Sequence, residues 1–403
     1  MDLTSSSKNL VYYLQSTLLD SRDAFSKKNV SINAVYKKIF HDIQQGIRYA
    51  NRVGYDRQIL KPFNAQKSQL FDNNPFMPDD VTQFINNENY TQVVYSCKIK
   101  GRYISILFHL YGNDDRCIES TKQQVRDVIA WLYICDLNSC VNCSERLKIF
   151  IYFTPFVKTI PDNNSLVLCE NNVNTGATYR CIKTNEIIIF RKEEWFKVLL
   201  HETIHAYGLD FNSNTQMKDD VKNLFPIKSD FLLEEAYVEF WARVMNAAYI
   251  CYRSVKSFNT FCKTLDIMLQ YERMYAIHQC NKVLHFMGLG YKDLYSDSEH
   301  LKRTLYNEKT NVFPYYILTA ILFNRYWDFL SWCNNAGTLY IKYNSTINIE
   351  KKNTQFIEYI RSNHNNSRLL TDLSRCHHSL LNLKDETIRN SLIMSVFEFE
   401  YLL

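Results

Sequence analysis

The sequence predicts an α+β protein in which a mixed β-sheet section is followed by a mainly α-helical half. Three observations carry that expectation. Short β-rich runs separated by turn residues concentrate between residues 92 and 190. Helical periodicity dominates from Asp230 onward. A pentapeptide with two histidines and a glutamate, running from His201 to His205, falls where the two halves meet.

Residues 1–60 read as helical: Leu10, Tyr13, Leu14 and Thr17 share one face, and Val35, Ile39, Ile43 and Ile47 recur every four residues. Residues 61–90 are turn-rich and read as a connection. Residues 93–111 read as two strands joined near Lys100-Gly101, a hairpin signal. Residues 120–135 place Val125, Val128, Ile129 and Leu132 on one helical face. The runs LKIFIYF (147–153), TGATYRCI (175–182) and EIIIF (186–190) read as strands, and a helix carrying the histidines is expected to start near Glu193. Further helices are expected over 231–252, 258–275 and 312–332. The expected divisions are a helical N-terminal region over 1–90, an α/β region over 91–210 that ends on the motif helix, and an α-helical region over 211–403.

Composition bounds the function. The chain has 403 residues, 46% of them hydrophobic, with only 9 Gly and 7 Pro, enough to bury a large core and unlike a disordered chain. A net charge of +5 without a basic run argues against a nucleic-acid partner. The longest apolar stretch, 312–323, is broken by Pro314 and stopped by Asn324-Arg325, so no membrane span is expected. The opening MDLTSSSKNLVYYL has no signal-peptide pattern. A cytoplasmic location is therefore expected, with the 12 cysteines reduced. The Asn-x-Ser/Thr triplets at Asn29, Asn89 and Asn344 are what an Asn-rich chain produces by chance.

The motif is HETIH. Residues four apart on a helix lie on one face, so His201 and His205 can aim two imidazoles at one ion. Zinc takes neutral imidazole nitrogen at about 2.0–2.1 Å. Glu202, beside the first ligand, is placed to take a proton from water at the metal. Gly208 follows as a helix terminator. A chain of this size can also carry such a pentapeptide by accident, so the third ligand matters. A histidine six residues after His205 would complete one known pattern, but Phe211 stands there; Asp210 is adjacent and off register.

The better third ligand lies in FLLEEAYVEFWARVMNAAY, 231–249. On a helix, Leu233, Ala236, Tyr237, Phe240, Val244, Ala247 and Ala248 form a broad apolar face. Glu235, Glu239 and Arg243 form a narrow stripe opposite, itself flanked by apolar residues. A helix apolar nearly all round is buried, and buried carboxylates need a compensating partner. A metal is one such partner; the alternative is a solvated stripe with a Glu239–Arg243 pair.

HETIH followed by LEEAYVEFWA resembles the gluzincin metallopeptidases, the zincins that include thermolysin-like and aminopeptidase-like enzymes. The resemblance covers roughly residues 92–250 and implies a zincin-like catalytic core: a mixed sheet with a backing helix and an active-site helix. It implies one zinc ion held by His201, His205 and Glu235, with Glu239 orienting a ligand histidine. Glu234 stands where the family usually has Asn. TGATY stands where the family keeps the edge strand that pairs with a polypeptide substrate. The group that stabilises the oxyanion stays open among Tyr271, Tyr275, His278, His285 and Tyr291. The segment from VNTGATY to HETIHAYGLDF also resembles zincin-like proteins of large nucleocytoplasmic DNA viruses, which implies host cytoplasm or virion as the compartment.

Other clusters are less specific. Cys135, Cys140 and Cys143 could hold a structural zinc with Cys117 or Cys169, although ordinary thiols fit as well. In Arg375-Cys376-His377-His378 the neighbouring histidines face different ways on a helix. Phosphate-binding glycine motifs are absent. The expected activity is zinc-dependent peptide hydrolysis through a metal-bound water with Glu202 as general base. The alternative is a non-catalytic structural or virion protein that keeps the metal site on the same scaffold.

Overall fold

The computed structural model describes residues 2–19, 30–61, 64–71, 74–112, 115–140, 142–163, 165–296, 304–335, 341–343 and 349–401. Asn29 and Asn344 lie outside these residues.

The chain opens with helices α1 (Ser5–Thr17) and α2 (Val30–Ala50). Strand β1 (Asp56–Leu60) follows, then α3 (Asp79–Asn87), β2 (Tyr90–Ile99) and β3 (Arg102–Tyr111). Helix α4 (Asp115–Asn138) leads to β4 (Arg146–Tyr152) and the short α5 (Glu170–Val173). Strands β5 (Gly176–Thr178) and β6 (Thr184–Ile189) feed α6 (Trp195–Ala206), which carries the motif. The helical half begins with α7 (Thr215–Leu224), α8 (Glu234–Ser254) and α9 (Phe258–Phe286). It continues through a π-helical turn at Phe313–Leu318 into helices Thr319–Asn324, Tyr326–Asn335, Ile349–Asn363 and Ser367–Leu381. The architecture is α+β, as expected.

The six strands form one mixed sheet in the order β1-β2-β3-β4-β6-β5. β3, β4 and β6 run parallel; β1, β2 and β5 attach antiparallel. The central strands are apolar on both faces, as strands covered on both sides must be. Ile149, Ile151, Ile187 and Ile189 face the main core with α4, α6 and α8. Phe150, Tyr152, Ile188 and Phe190 face a second core made with Leu70, Phe71, Val81 and Ile85. The segment expected to be a mere connection therefore covers this second face, and α3 forms within it. β1 was also missed, because Asp56-Arg57-Gln58 has no apolar alternation and is held as an edge strand by its ladder to β2.

Residues 391–401 run as an extended strap against the helical half. Gln279 Nε2 donates to the Ile393 carbonyl and Lys282 Nζ to the Ser391 carbonyl. The strap's own amides at Met394 and Ser395 donate to Glu194 Oε1, at 3.0 and 2.6 Å. Glu398 Oε1 accepts from the Glu194 amide. No helix among the described residues is long and apolar enough to cross a membrane.

One expectation about cysteine is corrected. Cys143 and Cys181 form a disulfide, so these two thiols are not reduced. The bond joins the loop before β4 to the turn between β5 and β6, segments that parallel β4–β6 pairing already brings side by side. The three cysteines that converge are Cys140, Cys143 and Cys181; Cys135 is instead buried within α4.

Candidate metal centre

The site is built from α6 and α8. β6 ends at Ile189 and α6 begins within a few residues, across Glu194 in the left-handed conformation at φ 55°. The strap amides and the buried Lys158 ammonium bond the Glu194 carboxylate, which stabilises that unusual backbone. At its other end α6 stops at Gly208, φ +62°, where the Gly208 and Leu209 amides turn back to the carbonyls of His205 and Ile204.

α8 packs along α6, and its polar stripe meets the histidines rather than water. Glu235 and Glu239 are 8% and 1% exposed, which rules out the solvated stripe. Arg243 pairs with Glu272 on α9, so the Glu239–Arg243 pair does not form either. Glu239 instead takes Lys197 Nζ at 3.0 and 3.1 Å and His201 Nδ1 at 3.1 Å.

Three ligand atoms converge on one point. His201 Nε2 lies 3.0 Å from Glu235 Oε2, His205 Nε2 lies 3.4 Å from that oxygen, and the two Nε2 atoms are 3.3 Å apart. Each imidazole is fixed from behind. His201 Nδ1 faces Glu239, and His205 Nδ1 faces Asp210 Oδ2 at 2.7 Å. A carboxylate can only accept, so both Nδ1 atoms donate, and in the neutral rings both Nε2 atoms present lone pairs. Two nitrogen lone pairs and a carboxylate oxygen would then point at one another, an arrangement that either protons on the rings or a bound cation satisfies.

Without a metal, the surrounding carboxylates favour protons on the rings. Burial alone would lower the His201 and His205 pKa values. Glu235, with Glu239 for His201 and Asp210 for His205, more than offsets it, raising His201 and holding His205 well above its usual range. Burial would raise Glu235, but His205 and His201 hold it well below the carboxylate range. Glu239 is drawn down to about 2 against the same burial, chiefly by Lys197 and His201. Glu202 moves the opposite way: burial raises it, and the nearby histidines do not cancel the effect.

A cleft of about 300 Å³ opens over these atoms. Gly176, Ala177 and Thr178 of β5 line one wall, with Glu202 at its foot. Among the described residues β5 is an edge strand of the sheet, paired with β6 alone. Tyr315 also lines the cleft, its ring 5.8 Å from that of His201 and its phenol pushed well up by burial and by the nearby Glu235 charge.

The structure thus brings together His201, His205, Glu202, Glu235 and Glu239. It does not make Asp210 a converging ligand; Asp210 stands behind His205. None of Tyr271, Tyr275, His278, His285 or Tyr291 lines the cleft, whereas Tyr315 does. Three further residues carry no sequence signal that was read, and Asp210 was read for a different role. Lys197 sits one helical turn before His201, a spacing visible in the sequence, but its partner lies on another helix. Asp210 was visible but weighed only as a ligand. Gly176 has a packing role: a Cβ there would come within 2.9–3.0 Å of Val198 and Glu202. Tyr315 is one of 28 tyrosines and lies on a π-helical turn that no pattern announces.

No family profile, curated protein or solved structure matches this chain.

Proposed function

We propose that the protein is a zinc-dependent peptidase, with His201, His205 and Glu235 as ligands and Glu202 as general base. One observation carries this reading. The three donor atoms form a triangle with edges of 3.0, 3.3 and 3.4 Å. A tetrahedral ion with bonds of about 2.0–2.1 Å has edges of roughly 3.3–3.4 Å, so these three residues would hold zinc. The donor set, two imidazoles and a carboxylate with each ring held by a second carboxylate, suits zinc.

When bound, the ion would supply Lewis acidity toward a substrate carbonyl and toward water. The chain's own groups do the rest. The open edge of β5 holds an extended peptide by backbone hydrogen bonds. Glu202 takes the proton of the attacking water and returns it to the leaving amine. Tyr315 donates its hydroxyl to the charge that develops on the carbonyl oxygen. Asp210 and Glu239 keep Nε2 of each histidine turned to the metal.

The test uses metal analysis and a peptide library with three proteins. The native chain should bind one zinc and cut. Glu202→Gln should keep the zinc and lose cleavage by at least about 10²-fold. His205→Ala should lose the metal. Stoichiometric zinc with no peptide cut would make the site structural, and loss of zinc in Glu202→Gln would mean that Glu202 is itself a ligand.

A further inference from the structure

A cluster of three sulfurs lies beneath the far end of α6. Cys143 and Cys181 form a disulfide, and the free, exposed Cys140 places its Sγ 3.1 Å from Cys143 Sγ. All three sulfurs lie within 4.8 Å of one another. The cluster is held in place from several sides. Buried Arg102, paired with Asp136, donates to the carbonyls of Cys143 at 3.1 Å and Cys140 at 2.5 Å. Ser139 Oγ donates to the Tyr207 carbonyl at 2.7 Å, tying the same turn to the end of α6. Ser144 and Cys181 adopt φ values of 53° and 45°, unusual for residues with a Cβ. The sulfurs fill the hollow left by Gly208, where a Cβ would come within 3.1 Å of both bridged sulfurs.

We infer that Cys140, Cys143 and Cys181 form a thiol–disulfide exchange site, in which Cys140 displaces Cys181 from Cys143 and unties the β5–β6 turn from the loop before β4. In the step, the Cys140 thiolate attacks Cys143 Sγ. The Cys140–Cys143 bond forms as the Cys143–Cys181 bond breaks, and the electron pair leaves on Cys181, which takes a proton from water. One disulfide replaces another, so no oxidant or reductant is consumed. An inert structural bridge needs no third thiol in van der Waals contact. The new pair would be a Cys-x-x-Cys disulfide, a spacing that closes readily and is typical of exchange chemistry.

The turn released in this way touches the metal centre. The Cys181 amide donates to the His205 carbonyl at 3.2 Å. Arg180, the preceding residue, donates from Nε to Asp210 Oδ1 at 2.7 Å and from Nη2 to the Asp210 carbonyl at 3.0 Å. Asp210 in turn fixes His205. The exchange itself stands without the peptidase reading; only its meaning as control of that site rests on it.

The experiment is non-reducing peptide mapping by mass spectrometry, on full-length protein prepared without reductant, incubated at neutral pH and quenched in acid before alkylation. We expect both the Cys143–Cys181 and the Cys140–Cys143 isomers in the native chain. Cys140→Ser should show only the first and Cys181→Ser only the second. Amide hydrogen exchange over residues 179–183 should be several-fold slower in Cys140→Ser than in Cys181→Ser. A native chain that shows only Cys143–Cys181 at every time overturns the inference. So does a chain with three free thiols holding an ion, since the cluster would then be a metal site. If Cys181→Ser does not fold, the isomer ratio in the native chain still decides. Neither readout depends on zinc at the histidines or on cleavage, so failure here is distinct from failure of the proposed function.

Discussion

Asp210 Oδ2 accepts the Nδ1 hydrogen of His205 at 2.7 Å, five residues along the same chain. Gly208 makes this possible, because its left-handed turn ends α6 and folds the chain back beneath the imidazole. The carboxylate is fully buried and also takes Arg180. Asp210→Asn should keep the shape and lose the charge. We expect zinc affinity to fall by about 10–100-fold in a chelator competition, the range typical of such outer partners. An unchanged affinity would show that Asp210 serves only the turn.

Gly176→Ala puts a Cβ against Glu202 and Val198 at the foot of the β5 wall. Overpacking of this kind costs about 1–3 kcal/mol where neighbours cannot move. Here the Glu202 side chain can move, so the strain should fall on its position. The expected outcome is a large loss of cleavage with zinc content unchanged and a small fall in melting temperature. If cleavage survives, Glu202 has room that the geometry does not reveal.

Tyr315→Phe removes a hydroxyl that lies near Glu235 at the cleft. Loss of a donor to a developing oxyanion typically lowers kcat by about 10²–10³-fold. The variant should bind zinc and lower kcat far more than it changes KM. An effect confined to zinc affinity would instead make Tyr315 a prop for Glu235.

Glu398 should make stability depend on pH. Burial, joined by the charges of Glu194 and Glu193 and opposed by Lys158, pushes its carboxyl up to about 8. The folded chain then keeps a proton that the unfolded chain gives up near 4.5. The stability this proton provides is complete below pH 4.5 and is lost progressively as pH rises toward 8. For one such proton the slope is at most about 1.4 kcal/mol per pH unit. Glu398→Gln keeps an acceptor for the Glu194 amide, so denaturant titrations from pH 5 to 8 should show a flatter decline. An identical slope would assign the pH dependence to other groups.

Much of this was legible in the sequence, for definable reasons. HETIH and the Glu235/Glu239 spacing are helical periodicities, so the chemistry and the face are written locally. The apolar flanks of that stripe announced that α8 would be buried, and with it the two carboxylates. The strands β2, β3, β4 and β6 showed as apolar runs because both of their faces are covered. What stayed hidden depends on contacts distant in sequence. β1 exists through its ladder to β2, Tyr315 reaches the cleft through a π-helical turn, and Lys197 meets Glu239 only when α6 and α8 pack. The disulfide was unreadable because Cys143 and Cys181 are 38 residues apart and meet only through the parallel pairing of β4 and β6.

The strap gives the site a timetable. Glu194, which sets the backbone at the start of α6, receives its amides from Met394 and Ser395, 200 and 201 residues later in the chain. A ribosome adds about 5–20 residues per second, so these partners follow roughly 10–40 seconds after Glu194. Until then the histidine helix lacks its anchor, and Lys197 lacks the Met394 sulfur that packs beside it. Under the proposed function, the site stays incomplete until residues 394 and 395 have been made.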